Sequence, residues 1–325
     1  MVRTTVVGNY PRVGDTFEEQ SLRRAIARFD KEEIDAAQLR EAEREVTTNV
    51  LREQIEAGID VVTDGQIAWY DSQSHVARGL EGIEVDGLVR YFDTNTYYRQ
   101  PVVRGAVAWK RPILVDEWTF AQAHSRAPVK AVLTGPLTLA SLSLDKHYGK
   151  KRALTLDLAA ALGEEVSALA NAGAAHIQID EPALTRSPSD LSLAIEGLER
   201  IRAQKGRSAL TLFTYFGDVA KAYQDLIGAP ADLFGFDLVQ GAATWSAIVK
   251  HGSDKPVVLG VIDARNTKQE EPDAVARKVR ELKDAVDLVR SYLSPSNGLE
   301  FLPRDRAREK LRILAASAKT VGVGG

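Results

Sequence analysis

The chain has 325 residues, 44% hydrophobic and 27% charged, with a formal net charge of -3 and no cysteine. That balance, with no Lys/Arg block, excludes the electrostatic footprint of a nucleic-acid or anionic-membrane partner, and no apolar run approaches the ~20 residues of a membrane span. Without cysteine there is no disulfide, no thiolate nucleophile and no Cys-based zinc or iron–sulfur site. The histidines at 75, 124, 147, 176 and 251 include no pair spaced i, i+3 or i+4, so any metal site would have to be built from carboxylates.

The run from Met1 to Gly8 goes straight into a strand-like pattern without the parts of a secretory signal, from which a cytoplasmic location is expected. Strand one, Thr4 to Gly8, leaves through the turn-like Asn9-Tyr10-Pro11-Arg12-Val13-Gly14. Residues 16–57 are helical in pattern, with Asp30 or Asp35 able to cap a second helix, and they hand over to strand two at Ile59 to Thr63. That strand exits at Asp64-Gly65-Gln66. Residues 80–112 break the rhythm with aromatic and β-branched residues and no helical period, which predicts an inserted hairpin or long loop after strand two.

The rhythm resumes with a strand at Val129 to Leu133, ending at Thr134-Gly135-Pro136, and a helix from about Ala153 to Ala172. Further strands are predicted at His176 to Asp180, Ala209 to Phe213, Leu233 to Phe236, Pro256 to Gly260 and, weakly, Tyr292-Leu293. About eight strand–helix units in succession signify a parallel sheet, which closes most naturally as one (β/α)8 TIM barrel over residues 1–325; a doubly wound open sheet is the alternative. No Gly-x-Gly-x-x-Gly fingerprint follows strand one, and no Gly-x-x-x-x-Gly-Lys-Ser/Thr occurs. The tail, Val321 to Gly325, reads as frayed.

Acids cluster at one strand exit. Ile177 and Ile179 mark a buried strand, and Asp180-Glu181 present two carboxylates where Pro182 stops the pairing, at the end where α/β barrels place their chemistry. The alternative is that such acids serve as caps. In a barrel, the polar residues just past the strands converge: Arg12, Asp64, Gln66, Thr134, Gln178, Asp180, Glu181, Thr214, Tyr215, Asp237, Asp263, Arg265, Asn266, Ser296 and Asn297. Arginines beside several acids suit a small-molecule substrate carrying both a carboxylate and amine or pterin-like groups, unless they neutralise one another in buried pairs. His176 reads as a satisfied core histidine facing a helix. Trp69, Tyr70, Tyr97 and Tyr98 could stack on a planar ligand or serve packing alone.

Six segments, Asn9 to Gly14, Phe92-Asp93-Thr94-Asn95 with Tyr98, Leu133 to Pro136, Gln178 to Pro182, Thr214-Tyr215-Phe216 and Gly260 to Asn266, together resemble the cobalamin-independent methionine synthases, whose full-length members carry two barrels made by duplication. The Phe92 to Asn95 and Asp263 to Asn266 stretches are similar to the N-terminal barrel. The resemblance implies methyl transfer from 5-methyltetrahydrofolate to the thiol of homocysteine. In that family a zinc ion, held by a His-x-Cys pair, a Glu and a later Cys, carries the thiolate. Here Leu212 and Thr214 stand at the first two places, Asp237 at the Glu and Asn297 at the last Cys, so no zinc site of the family type is expected. The family's proton-donating histidine falls on Arg265 and its ammonium-binding acid on Arg186.

The resemblance leaves two readings. One is a folate-binding barrel paired with a separate zinc-bearing barrel subunit, with Arg23 and Arg24 meeting the folate tail and Asp93 and Asn95 among the substrate contacts. The other is an autonomous zinc-free enzyme acting on a different small carboxylate or alkyl donor. In that reading Asp180, Glu181, Asp237 and Arg265 supply acid–base and electrostatic help. An exposed apolar patch around the barrel mouth would favour the first, and a closed, polar pocket with perturbed carboxylates the second.

Overall fold

The computed structural model describes residues 2–323. Its strands in chain order are β1 (Arg3–Thr4), β2 (Leu80–Arg90), β3 (Tyr97–Trp109), β4 (Lys130–Thr134), β5 (Leu144–Asp145), β6 (His176–Asp180), β7 (Ala209–Thr214), β8 (Leu233–Asp237), β9 (Val257–Ile262) and β10 (Tyr292–Pro295). The helices are α1 (Ser21–Asp30), α2 (Ala36–Ala57), α3 (Ser72–Ala77), α4 (Val115–Ala123), α5 (Pro136–Leu142), α6 (Lys151–Asn171), α7 (Leu191–Arg202), α8 (Tyr223–Gly228), α9 (Ala242–His251), α10 (Pro272–Arg280) and α11 (Arg304–Val323).

Seven strands form one parallel sheet in the order β1-β10-β9-β8-β7-β6-β4. The ring closes through strand two, which survives only as two parallel bridges, Thr5 to Val61 and Val62 to Val129. The Val61 amide donates to the Thr4 carbonyl at 3.1 Å and the Lys130 amide to the Val62 carbonyl at 2.8 Å. Strand two is shorter than its β-branched run predicts because Asp60 replaces ladder pairing: its carboxylate accepts from the Thr4 amide at 2.7 Å and the Thr4 hydroxyl at 2.9 Å. This is the closed eight-fold arrangement of a (β/α)8 barrel.

Pleating sorts the side chains into two layers. Ile177, Ile179, Leu210 and Leu212 pack with helix residues such as Leu158 and Val166. Val7, Val61, Phe213, Tyr215 and Val258 fill the interior with Tyr91 and Tyr98. The Phe213 ring fits because Gly235, on the neighbouring strand, lacks a side chain; a Cβ there would lie 2.1 Å from the ring.

Of the two cap residues considered for the second helix, Asp35 is the one used: it accepts from the Gln38 amide at 2.8 Å, and Gln38 reciprocates at 3.0 Å. Tyr10 in the first strand-exit loop donates to Glu53 of α2 at 2.9 Å, and Arg304 of α11 holds the same carboxylate at 2.9 Å. First and last elements are thereby joined. α11 continues through Val321 and Gly322 to Val323, where the sequence read as frayed, because the helix packs on α2 and α10; Gly324 and Gly325 lie outside the described residues.

Strands β2 and β3 form a long antiparallel hairpin, and β5 adds in parallel to β3. At its base Glu165 of α6, with no exposure, accepts from the Trp109 indole and from the Ile113 and Leu114 amides, each at 2.8 Å. At its tip the chain reverses through Tyr91 to Thr96, with Phe92 at φ 50.

Candidate functional site at the barrel mouth

A column of polar groups climbs the barrel interior. Lys130, 4% exposed, donates to the Val6 carbonyl at 2.6 Å and to Gln178 Oε1 at 2.5 Å. These acceptors fix the Gln178 amide, whose Nε2 donates to the Val7 carbonyl at 2.8 Å and to Asp180 Oδ1 at 2.7 Å. Tyr215 reaches Asp180 Oδ2 at 3.3 Å, and the Tyr91 hydroxyl lies 3.4 Å from that of Tyr215. Burial pushes the Asp180 carboxyl up and the Lys130 ammonium down, each pulled part-way back by the other's charge. Glu300, in the turn after β10, is pushed up to about 7 by burial, and the charge of Asp180 adds to the rise. The mouth therefore holds carboxyls able to exchange a proton near neutral pH.

The neighbouring acids differ. Glu181 points away from Asp180, as strand alternation requires, and caps α5: its carboxylate accepts from the Leu137 amide at 2.9 Å, the Thr138 amide at 2.7 Å and the Thr138 hydroxyl at 2.6 Å. Gly135 makes this possible, since a Cβ there would lie 2.3 Å from the carboxylate. The catalytic part expected of Glu181 gives way to a structural one. Asp237 likewise accepts from the Phe216, Val239 and Gln240 amides at 3.2, 3.0 and 2.9 Å, so it shapes the β7 and β8 exits rather than facing a substrate. Asp263 accepts from the Arg265 amide and Asn266 from the Lys268 amide, both at 2.9 Å, each holding its own turn. Thr134 donates to the Ser72 carbonyl at 3.2 Å.

Among the described residues several buried atoms at the strand exits have no hydrogen-bond partner: Nε and Nη2 of Arg12, Oε1 of Gln66, Oδ1 of Asn297 and Oε2 of Glu300. Buried orphans of this kind are costly unless a ligand satisfies them. Gln66 is also held at φ 53, a strained conformation of the sort that gathers at binding sites. Asp64 departs from the expected set. It lines a side cavity of ≈ 450 Å³ between α2 and α4, with Glu43, His75 and Glu117, and burial raises it to about 6.

An aromatic collar surrounds the column. Tyr91 meets Phe92, Tyr98 and Phe216 edge-on, and Phe216 meets Phe301 at 6.0 Å. Arg265 lies over Phe216 and Phe301. Asp93, at the hairpin tip, sits 3.1 Å from Arg186 and 3.7 Å from Arg265. Asn95 accepts from Arg90 at 3.3 Å within the tip. Of the other aromatics, Trp69 stacks on His75, Tyr98 donates to the Leu142 carbonyl at 2.8 Å, and Tyr70 lies between Arg12 and Arg99. Arg23 and Arg24 are exposed on α1, Arg24 donating to the Phe17 carbonyl at 2.6 Å. His176 is half-buried at the opposite end of β6 from the mouth, its pKa lowered by burial and by Lys130 and Arg3.

Sequence reasoning missed Lys130, Glu300, Tyr91 and Phe301 as members of this site. The signal for Lys130 was a lone lysine at an inward position of a buried strand.

The family model described as cobalamin-independent synthase, N-terminal domain, matches residues 3–75 and 73–287. A methionine synthase of Saccharolobus solfataricus is 32% identical over 324 residues, covering 99% of this chain and 95% of that protein. The chain belongs to the cobalamin-independent methionine synthase family, a family of methyltransferases. A methionine synthase of Thermococcus kodakarensis is 28% identical, covering 95% of this chain and 90% of its own. In fold the chain matches a B12-independent methionine synthase from a Shewanella species, solved with selenomethionine, with a TM-score of 0.81 at 22% identity, covering 99% of this chain and 98% of the other.

The residues at the family's zinc positions do not fit that metal. Leu212 packs among the apolar groups facing the helices, Thr214 donates to the Gly235 carbonyl at 3.3 Å, Asp237 is engaged by three amides, and Asn297 is an amide. None offers the thiolate or imidazole that a zinc-held thiolate site uses.

Proposed function

We propose that the barrel mouth binds a reduced folate, 5-methyltetrahydrofolate, and serves methyl transfer towards homocysteine as the folate-binding barrel of a two-barrel system, a separate zinc-bearing barrel presenting the thiolate. In that transfer the N–CH3 bond breaks, an S–CH3 bond forms and the thiol proton passes to the folate nitrogen. The observation that carries the reading is the Asp180, Tyr215, Tyr91 and Glu300 column inside an aromatic collar. Carboxyls suit the N–H edge of a pterin, rings suit its faces, and guanidiniums at the rim suit the glutamate carboxylates. The donor set at the zinc positions supports a division of labour, since a thiol with pKa near ~8.5 is mostly protonated at neutral pH without a metal.

Calorimetric titration with 5-methyltetrahydrofolate triglutamate tests the reading. Saturable binding is expected, weakened at least tenfold by Asp180→Asn and less by Arg23→Ala or Arg24→Ala. No heat at ~1 mM ligand, where even a ~4 kcal/mol interaction registers, would sink it.

The near-neutral carboxyls also favour a second reading, an autonomous zinc-free enzyme acting on another small carboxylate or alkyl donor. Turnover by the isolated chain, without any partner barrel, would separate the two.

A further inference from the structure

Arg186 leaves the loop behind β6 and Arg265 the loop behind β9, three strand positions further round the ring, yet both guanidiniums turn to one carboxylate, that of Asp93. Among the described residues neither guanidinium has another acidic partner. The two sides of this contact are unequally built. Arg265, 24% exposed, is seated over Phe216 and Phe301, and the Phe216 amide is in turn held by Asp237. Asp93 is 57% exposed on a hairpin tip, next to Phe92 in the left-handed region. Phe216 shares that conformation, at φ 68, and its ring lies 5.9 Å from that of Phe92. Two strained residues in contact mark a place where backbone energy is held for a purpose other than stability.

We infer that Arg186 and Arg265 form an anion clamp for the carboxylate of a substrate, and that Asp93 is its internal stand-in, displaced when the substrate's acidic end arrives. The inference rests on the folate-type reading only for the identity of the ligand. The clamp selects an organic acid with a planar or apolar body: acid at the rim, body in the collar, and a hydrogen-bonding end reaching the Glu300 oxygen and Asn297 oxygen that lack partners. Exposed ion pairs contribute little individually, so exchange of one carboxylate for another is easy, while two converging guanidiniums, that of Arg265 seated on its rings, give the site its selectivity for anions.

The test uses succinate as the probe, at constant ionic strength, followed by the Nε–Hε NMR signals of Arg186 and Arg265 in the full chain. If Asp93 fills the clamp about nine-tenths of the time, Asp93→Asn tightens succinate binding about tenfold by removing the competitor. Asp86→Asn, the same charge change elsewhere on the hairpin, is expected to leave it unchanged. Adding Arg186→Gln to Asp93→Asn abolishes the gain. Equal affinities for the wild type and Asp93→Asn, or equal gains from Asp86→Asn, would overturn the clamp. Succinate behaving as expected while 5-methyltetrahydrofolate fails to bind supports the clamp and removes the folate reading, so the two failures are distinguishable.

Discussion

Among the contacts by which the hairpin meets the barrel are two carboxylates, one at its base and one at its tip, and they could hardly be less alike. At the base, Glu165 is wholly buried and satisfies three donors that have no other acceptor. At the tip, Asp93, 57% exposed, contacts two guanidiniums at 3.1 and 3.7 Å. The same functional group is a permanent anchor in one place and an exchangeable contact in the other. What differs is water: a buried acceptor cannot be replaced without orphaning its donors, whereas an exposed one competes with solvent at every moment.

The widest gap between the two ends is expected from deletion. Glu165→Ala strands the Trp109 indole and two amides, and should cost ~3–5 kcal/mol in urea unfolding; a cost below ~1 kcal/mol would mean that the base is not the anchor. The next effect is pH dependence at the mouth. Glu300 has its folded pKa raised to about 7 from 4.5, so the folded state binds the extra proton between those values. Its stabilising contribution is full below about pH 4.5 and lost as pH rises through about 7, amounting to ~1–3 kcal/mol. Calorimetric melting should therefore show a higher Tm at pH 6 than at pH 8, and Glu300→Gln should lessen that dependence, leaving the share of Asp180 and Glu181, whose carboxyls burial also raises. The smallest effect belongs to the tip: Asp93→Asn should change stability by less than ~1 kcal/mol. A tip deletion as costly as the base deletion would erase the distinction.

Much of this was legible beforehand. β-branched runs ending in turn residues pointed to the barrel, and the Asp180 exit to the end where Lys130, Gln178 and Tyr215 are found around that carboxylate. Glu181 was misjudged for a reason the sequence itself contains: adjacent residues on a strand point to opposite faces, so Asp180 and Glu181 cannot both enter one pocket. Lys130 and Glu300 were harder, since what distinguishes them is their partners. Gln178 lies 48 residues from Lys130, and only closure of the ring brings them together. Arg186 gained significance in the same way, through a hairpin tip far from it in the chain.

The narrow second strand has one more consequence. Only the bridges at Val61 and Val62 carry ladder pairing between the first strand and β4, side chains of Thr4, Asp60 and Thr63 adding to them, and behind them the Lys130 side chain reaches past that strand to the Val6 carbonyl. That line in the wall is thus held from inside by the Lys130 side chain as well as by its peptide hydrogen bonds. Mechanical integrity of the barrel and protonation of its interior become a single property. A chemical change at Asp180, which helps keep that lysine charged, would be felt as slack along a seam two strand positions away.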